Sequence, residues 1–143
     1  MTGRLDTLQA AVLLAKLEVF EQELEARQEV AGRYLRLLAG CNGLELPRVP
    51  EGSRSAWAVF SILAKDSRHR ERIRARLGQA GVPTMVYYPR PLHLQPVFAH
   101  LGYAPGDFPV SEDVAERILS LPMHPYLGLD LQERAAGVIW RAL

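Results

Sequence analysis

The sequence predicts an α+β fold. A long N-terminal helical arm occupies residues 1–40, and a small, mainly antiparallel sheet of about three strands, packed with helices, occupies residues 54–143. Three observations carry this expectation. Apolar residues recur at spacings of three and four through residues 5–38. Short apolar runs at 55–64, 82–88 and 120–124 lie close to prolines or glycines. Between and after them stand windows of helical period, each preceded by a residue suited to capping. The 143 residues are read as one domain.

The arm is one long helix or two in series. Asp6 and Gln9 form a capping box, in which the carboxylate accepts an orphan backbone N–H and the amide reaches back. Leu5, Leu8, Val12, Ala15 and Val19 make one apolar row. Leu13, Leu17, Phe20, Leu24, Ala31, Leu35 and Leu38 make a second. Two rows on one helix imply neighbours on two sides of its first half. Gly40 ends the arm, and Pro47 to Ser53 is a polar loop. Residues 55–64 read as a buried strand, and Asp66 or Ser67 caps a helix carrying Ile73, Leu77 and Ala80, ended by Gly81. Residues 82–88 read as a second strand, 94–101 as a short helix, and Ser111 as the cap of a helix with Glu112 and Asp113 in its first turn. Residues 120–124 read as the third strand, and Asp130 with Glu133 opens the last helix.

Composition narrows the function classes. No apolar run is long enough to span a bilayer, and the chain opens with no signal-peptide pattern. The net charge of +1 gives no general argument for nucleic acid or membrane partners. The single cysteine, Cys41, excludes an internal disulfide and a multi-thiolate zinc site. A cytoplasmic, reducing location is expected. Of the 17 basic residues, 15 are arginine, so amine chemistry has only Lys16 and Lys65 to draw on.

Each candidate for chemistry has a bland counterpart. Arg68, Arg70, Arg72, Arg74 and Arg76 form a basic row on one helix, suited either to a phosphate backbone or simply to solvent. His69, His93, His100 and His124 lack paired ligand spacing, so no metal is expected. Residues 86–98 are the most informative stretch: Tyr87 and Tyr88 end an apolar run, and Pro89 and Pro91 stiffen a segment that presents His93. From the residues alone this is a ligand site or a structural turn.

Three separated segments are similar to those of a known family. They are Gly3-Arg4-Leu5-Asp6-Thr7-Leu8-Gln9-Ala10-Ala11-Val12-Leu13 with Lys16-Leu17, then Tyr87-Tyr88-Pro89-x-Pro91-Leu92-His93-x-Gln95-x-x-Phe98, then Leu119-Ser120-Leu121-Pro122-Met123-His124-Pro125. In this order they resemble the DegT/DnrJ/StrS-type sugar aminotransferases, pyridoxal-phosphate enzymes of fold type I that act on nucleotide-linked keto sugars. The resemblance runs from residue 3 to the C-terminus and implies the small domain of such an enzyme, without the large domain that bears the Schiff-base lysine. Neither Lys16 nor Lys65 takes that role, so no catalytic residue is assigned within the chain.

The resemblance also assigns binding roles. Arg4 matches an arginine that reaches the partner subunit's active site. Thr2 stands where the family has a phosphate-holding asparagine, and its hydroxyl can donate one hydrogen bond in that place. Tyr87, Tyr88 and His93 match substrate-facing positions, and His124 is read as structural. A homodimer, a glutamate amino donor, a nucleotide-sugar substrate and a place in cell-surface polysaccharide biosynthesis are implied. Two other readings stay open: a stand-alone assembly module using the apolar first helix, and nucleic acid binding through Arg68 to Arg76.

Overall fold

The computed structural model describes residues 3–142. The arm is two helices, α1 (Thr7–Leu17) and α2 (Phe20–Leu37), interrupted at Glu18 and Val19. Asp6 caps α1 by accepting from the Leu8 N–H at 2.8 Å. Gly40 ends the arm at φ +77°, a conformation that a residue with a Cβ takes only under strain.

The remaining elements are β1 (Leu44–Glu45), β2 (Phe60–Ala64), α3 (Ser67–Gln79), α4 (Pro109–Arg117), β3 (Ile118–Leu121) and α5 (Leu129–Trp140). Two 3-10 turns, Leu92–Leu94 and Pro96–Leu101, stand between α3 and α4. The sheet is antiparallel in the order β1-β2-β3, with Leu44 opposite Ala64 and Ser61 opposite Ser120. The backbone groups of Ser120 are taken on its other side by Met85, at 3.1 and 2.7 Å. Ser120 therefore meets Ser61 through the hydroxyls, 2.8 Å apart.

The core fills the space between the sheet and α2, α3 and α5. Phe60, Ile62 and Ala64 alternate inward from β2 and meet Tyr34, Leu38, Ile73, Leu77, Leu119 and Ile139. Among the described residues the Gln132 amide is wholly enclosed: it donates to the Val30 carbonyl at 2.9 Å and accepts from Arg33 Nε at 2.6 Å. Arg33 also donates to the Leu127 carbonyl, and Tyr34 to the Pro122 carbonyl. Burial raises the Tyr34 pKa well above its ordinary value.

Several element boundaries differ from those the sequence predicts. The strand expected at 55–64 begins only at Phe60, because Trp57 takes φ +48° and turns the chain where its ring and Phe60 pack, centroids 5.7 Å apart. The strand expected at 82–88 reduces to the single bridge at Met85; Pro83 and Pro89 have no N–H to extend a ladder. β1 was not foreseen, since two residues carry no readable period. The third strand lies two to three residues earlier than expected. Ser111 is not the cap of α4: Pro109 occupies the first turn, and the Glu112 carboxylate reaches back to the Phe108 N–H. Nor does Asp130 cap α5, which follows Gly128 without a side-chain cap.

The basic row on α3 is largely engaged at helix ends. Arg72 Nε donates to the Ala142 carbonyl at 2.9 Å, and Arg76 donates to the Arg141 carbonyl, so two guanidiniums cover the C-terminal end of α5. Arg70 donates to the Ala115 carbonyl near the end of α4.

Candidate functional site

The residues between α3 and α4 run from the buried Val82 to the surface through Pro83. The Met85–Ser120 bridge fixes this segment to β3, and the prolines at 89 and 91 restrict its backbone beyond that point. Tyr87 and Tyr88 are consequently held at the surface, 41% and 69% exposed, with their rings edge to face at 5.8 Å.

Two grooves meet at Tyr87. One is lined by Tyr87, Tyr88, Arg90 and Gln95 on one side and by Ser111 and Val114 of α4 on the other. The second is lined by Val59, Met85, Tyr87, Ser120, Pro122 and Met123 among others. The bridge thus brings the Tyr-Tyr-Pro segment and the Leu-Ser-Leu-Pro-Met segment to one face. His124 is exposed and lines neither groove.

His93 is placed differently. Its side chain is 7% exposed, its Nε2 lies 3.0 Å from Glu112 Oε1, and its ring packs on Phe108 at 4.8 Å. Glu112 also accepts the Gly106 N–H at 2.9 Å and the Phe108 N–H. The Gly106 N–H first, with help from His93 and the Phe108 N–H, holds the Glu112 carboxyl below the usual range. His93 and Glu112 together fasten the 92–108 loop to the start of α4, and His93 does not line the tyrosine groove.

Arg4 is exposed ahead of α1 and lines neither groove, and Thr2 lies outside the described residues. Sequence reasoning passed over Arg90, Gln95 and Ser111 as site residues. A signal for Arg90 stood in the sequence, a charged residue between two prolines; Ser111 becomes visible only when α4 folds against residues 87–95.

α1 is the other conspicuous feature. It buries no residue in this chain, and Leu8, Leu14 and Leu17 are 79%, 66% and 62% exposed. Two shallow apolar depressions lie along it, one at Leu5, Leu8, Val12 and Leu13, the other at Leu13, Lys16, Leu17 and Phe20. The two sides of the helix that its apolar rows mark for contact are both uncovered.

The fit of a pyridoxal phosphate group can be tested on these residues. Lys16 lies on the exposed α1, and Lys65 is exposed at the end of β2 with its backbone N–H directed at His69 Nδ1. Neither ammonium stands in an enclosed cavity with phosphate donors around it. The described residues therefore do not by themselves form a cradle for the cofactor. No group of three or more His, Cys, Asp or Glu among them is arranged to hold a metal ion, and no described helix is long and apolar enough to cross a membrane.

The family model of the DegT/DnrJ/EryC1/StrS aminotransferases matches residues 1–139. The UDP-2-acetamido-2-deoxy-3-oxo-D-glucuronate aminotransferase of Pseudomonas aeruginosa is 42% identical over 89% of this chain and 33% of its own length. Among solved structures, a DegT DnrJ EryC1 StrS aminotransferase from Brucella abortus is 48% identical, with a TM-score of 0.85 over 95% of this chain and 35% of the other. S. venezuelae DesV, solved in complex with a ketimine intermediate, is 33% identical with a TM-score of 0.91 over 96% of this chain and 36% of its own. The chain spans about a third of the length of the curated relatives it matches, 37%, 33% and 35% for three of them.

Proposed function

The chain belongs to the DegT/DnrJ/EryC1/StrS aminotransferase family, and from that premise we propose that it supplies the small domain of a pyridoxal-phosphate-dependent enzyme that aminates a nucleotide-linked keto sugar. The family match over residues 1–139 is the observation that carries this reading. The arrangement of the site supports it: two family-like segments converge at Tyr87, and the helix that precedes them is uncovered.

In this reading Tyr87 and Tyr88 place the sugar substrate, with Tyr hydroxyls as donors or acceptors and the ring faces as apolar walls. His93 acts on placement through the loop that it fastens to Glu112. Arg4, and Thr2 ahead of it, reach toward the cofactor phosphate in the active site of a second copy of the chain. α1 is covered on one side by the large domain and on the other by that second copy, in a homodimer. The amino donor is glutamate and the enzyme works in the cytoplasm, in the formation of cell-surface polysaccharides.

Pyridoxal phosphate, when bound, supplies the electron sink for amino transfer. This chain's part is to orient substrate and to close the site. Borohydride reduction after incubation with pyridoxal phosphate, read by peptide mass spectrometry, tests this division of labour. The expected result is no stoichiometric adduct at Lys16 or Lys65 and no transamination by the chain alone. A stoichiometric adduct at either lysine, with turnover, would contradict it.

A second reading is favoured by α1 alone: an assembly module that uses its apolar face without chemistry. Sedimentation velocity separates part of the question, since a stable monomer at high concentration argues against an assembly arm.

A further inference from the structure

We propose that Arg90 is the anion-binding residue of the groove between residues 87–95 and α4, where its guanidinium takes a two-oxygen anion of a nucleotide-linked sugar. That anion is the diphosphate or a uronate carboxylate. The inference deepens the functional reading above and rests on it for the class of ligand.

Four observations converge on Arg90. It stands between Pro89 and Pro91, so its backbone is confined to extended conformations and its position costs little ordering on binding. Gln95 Nε2 donates to the Arg90 carbonyl at 3.3 Å and ties the turn together from within. Arg90 lines the groove together with the exposed Tyr87 and Tyr88 and with Ser111 of α4, whose hydroxyl is a further donor. Finally, Arg90 forms no ion pair among the described residues; on α4, Glu112 is taken by Gly106, Phe108 and His93 and Asp113 is paired with Arg117 at 2.7 Å, while Glu116 is exposed and also forms no ion pair there.

Several other arginines are spent on the fold. Arg70, Arg72 and Arg76 are engaged at helix ends, Arg33 in the core, and Arg117 by Glu45 and Asp113. Arg36, Arg48, Arg68 and Arg134 form no ion pair among the described residues either, and what sets Arg90 apart is its place in a groove lined by two exposed tyrosines. A guanidinium of this kind matches a phosphate or carboxylate through two parallel N–H bonds, which a single ammonium cannot reproduce. The tyrosine faces beside it give an adjoining base or sugar ring an apolar wall.

The test is a nuclear magnetic resonance titration of the 143-residue chain, following the Arg90 Nε–Hε signal with UDP, UDP-glucose, UDP-glucuronate and free glucuronate as probes. A saturable shift of Arg90 and of Tyr88 is expected. Loss of the charged hydrogen bonds in Arg90→Gln raises the Kd roughly ten- to a hundredfold with the backbone spectrum retained. Arg90→Lys, which keeps the charge and loses the fork, falls between. Response to UDP and UDP-glucose identifies the diphosphate; response to UDP-glucuronate and glucuronate alone identifies the carboxylate. If no probe moves the Arg90 signal, or if Arg90→Gln binds as the parent does, the inference is overturned. Amination by the complete enzyme with an unchanged KM in Arg90→Gln would overturn it too while leaving the aminotransferase reading intact. A complete enzyme without turnover on any keto sugar, with Arg90 still responding, would instead remove only that reading.

Discussion

Gln132 is a fully buried amide with both ends satisfied, joining α5 to the Val30 carbonyl and to Arg33. Replacement by Leu removes the acceptor of the Arg33 Nε–H, which leaves that donor unpaired while Arg33 keeps the Leu127 carbonyl, and a buried unsatisfied group costs about 1–3 kcal/mol. The urea midpoint of Gln132→Leu is expected to fall accordingly, without a change in slope. His69 offers a pH readout. It is 6% exposed, and burial foremost, with Arg72 second, lowers its pKa. The folded state therefore holds His69 neutral where the unfolded chain has begun to bind a proton. This stability is present above about pH 6.5, the unfolded histidine value, and is lost as the pH falls through the lower folded value. The Glu112 carboxyl, lowered chiefly by the Gly106 N–H, adds a second loss further into acid, starting in the ordinary carboxylate range. Urea midpoints measured from pH 8 to pH 4 are expected to fall first near the histidine range. In His69→Gln that first step is expected to vanish; its persistence would contradict the assignment.

At the scale of elements, α1 and α3 show opposite uses of sequence. The apolar rows of α1 are exposed in this chain, so their contribution lies in contacts with something else. Leu13→Asp with Leu17→Asp is expected to leave thermal stability nearly unchanged, since exposed substitutions stay within about 0.5 kcal/mol. The same pair is expected to abolish any self-association seen by sedimentation. A large loss of stability would show that α1 packs on its own domain. α3 looked like a basic face, yet Arg72 and Arg76 cover carbonyls at the end of α5. Arg72→Ala with Arg76→Ala is expected to lower the melting temperature by several degrees, reflecting about 1 kcal/mol per lost charge-assisted bond.

For the whole molecule, the longer helices were legible because periodicity over ten or more residues is a strong local signal, whereas the short helix expected at 94–101 is replaced by the 3-10 turns Leu92–Leu94 and Pro96–Leu101. The caps at Asp6 and Asp66 were legible for a local reason, a carboxylate facing orphan N–H groups. What escaped was set by tertiary contact. β1 exists only because Leu44 and Glu45 lie along β2, and residues 82–88 give up strand character because prolines flank the one residue that pairs. The site divides the same way. The exposed tyrosines follow from their place beside a proline segment, but the inward turn of His93 depends on Glu112, nineteen residues on. The family-like segments were legible as separate motifs, and only the Met85–Ser120 bridge explains why two of them share a face.

One measurement bears most directly on the central claim that this chain serves as the small domain of a nucleotide-sugar aminotransferase. The corresponding segment of the 42%-identical Pseudomonas aeruginosa relative is replaced by this chain, and amino-sugar formation is followed with pyridoxal phosphate and glutamate. The chimera is expected to fold, hold the cofactor and aminate a nucleotide-linked keto sugar, and Tyr87→Ala with Tyr88→Ala is expected to weaken that substrate by roughly tenfold or more in kcat/KM. A chimera that folds and holds the cofactor yet aminates no such sugar would contradict the account.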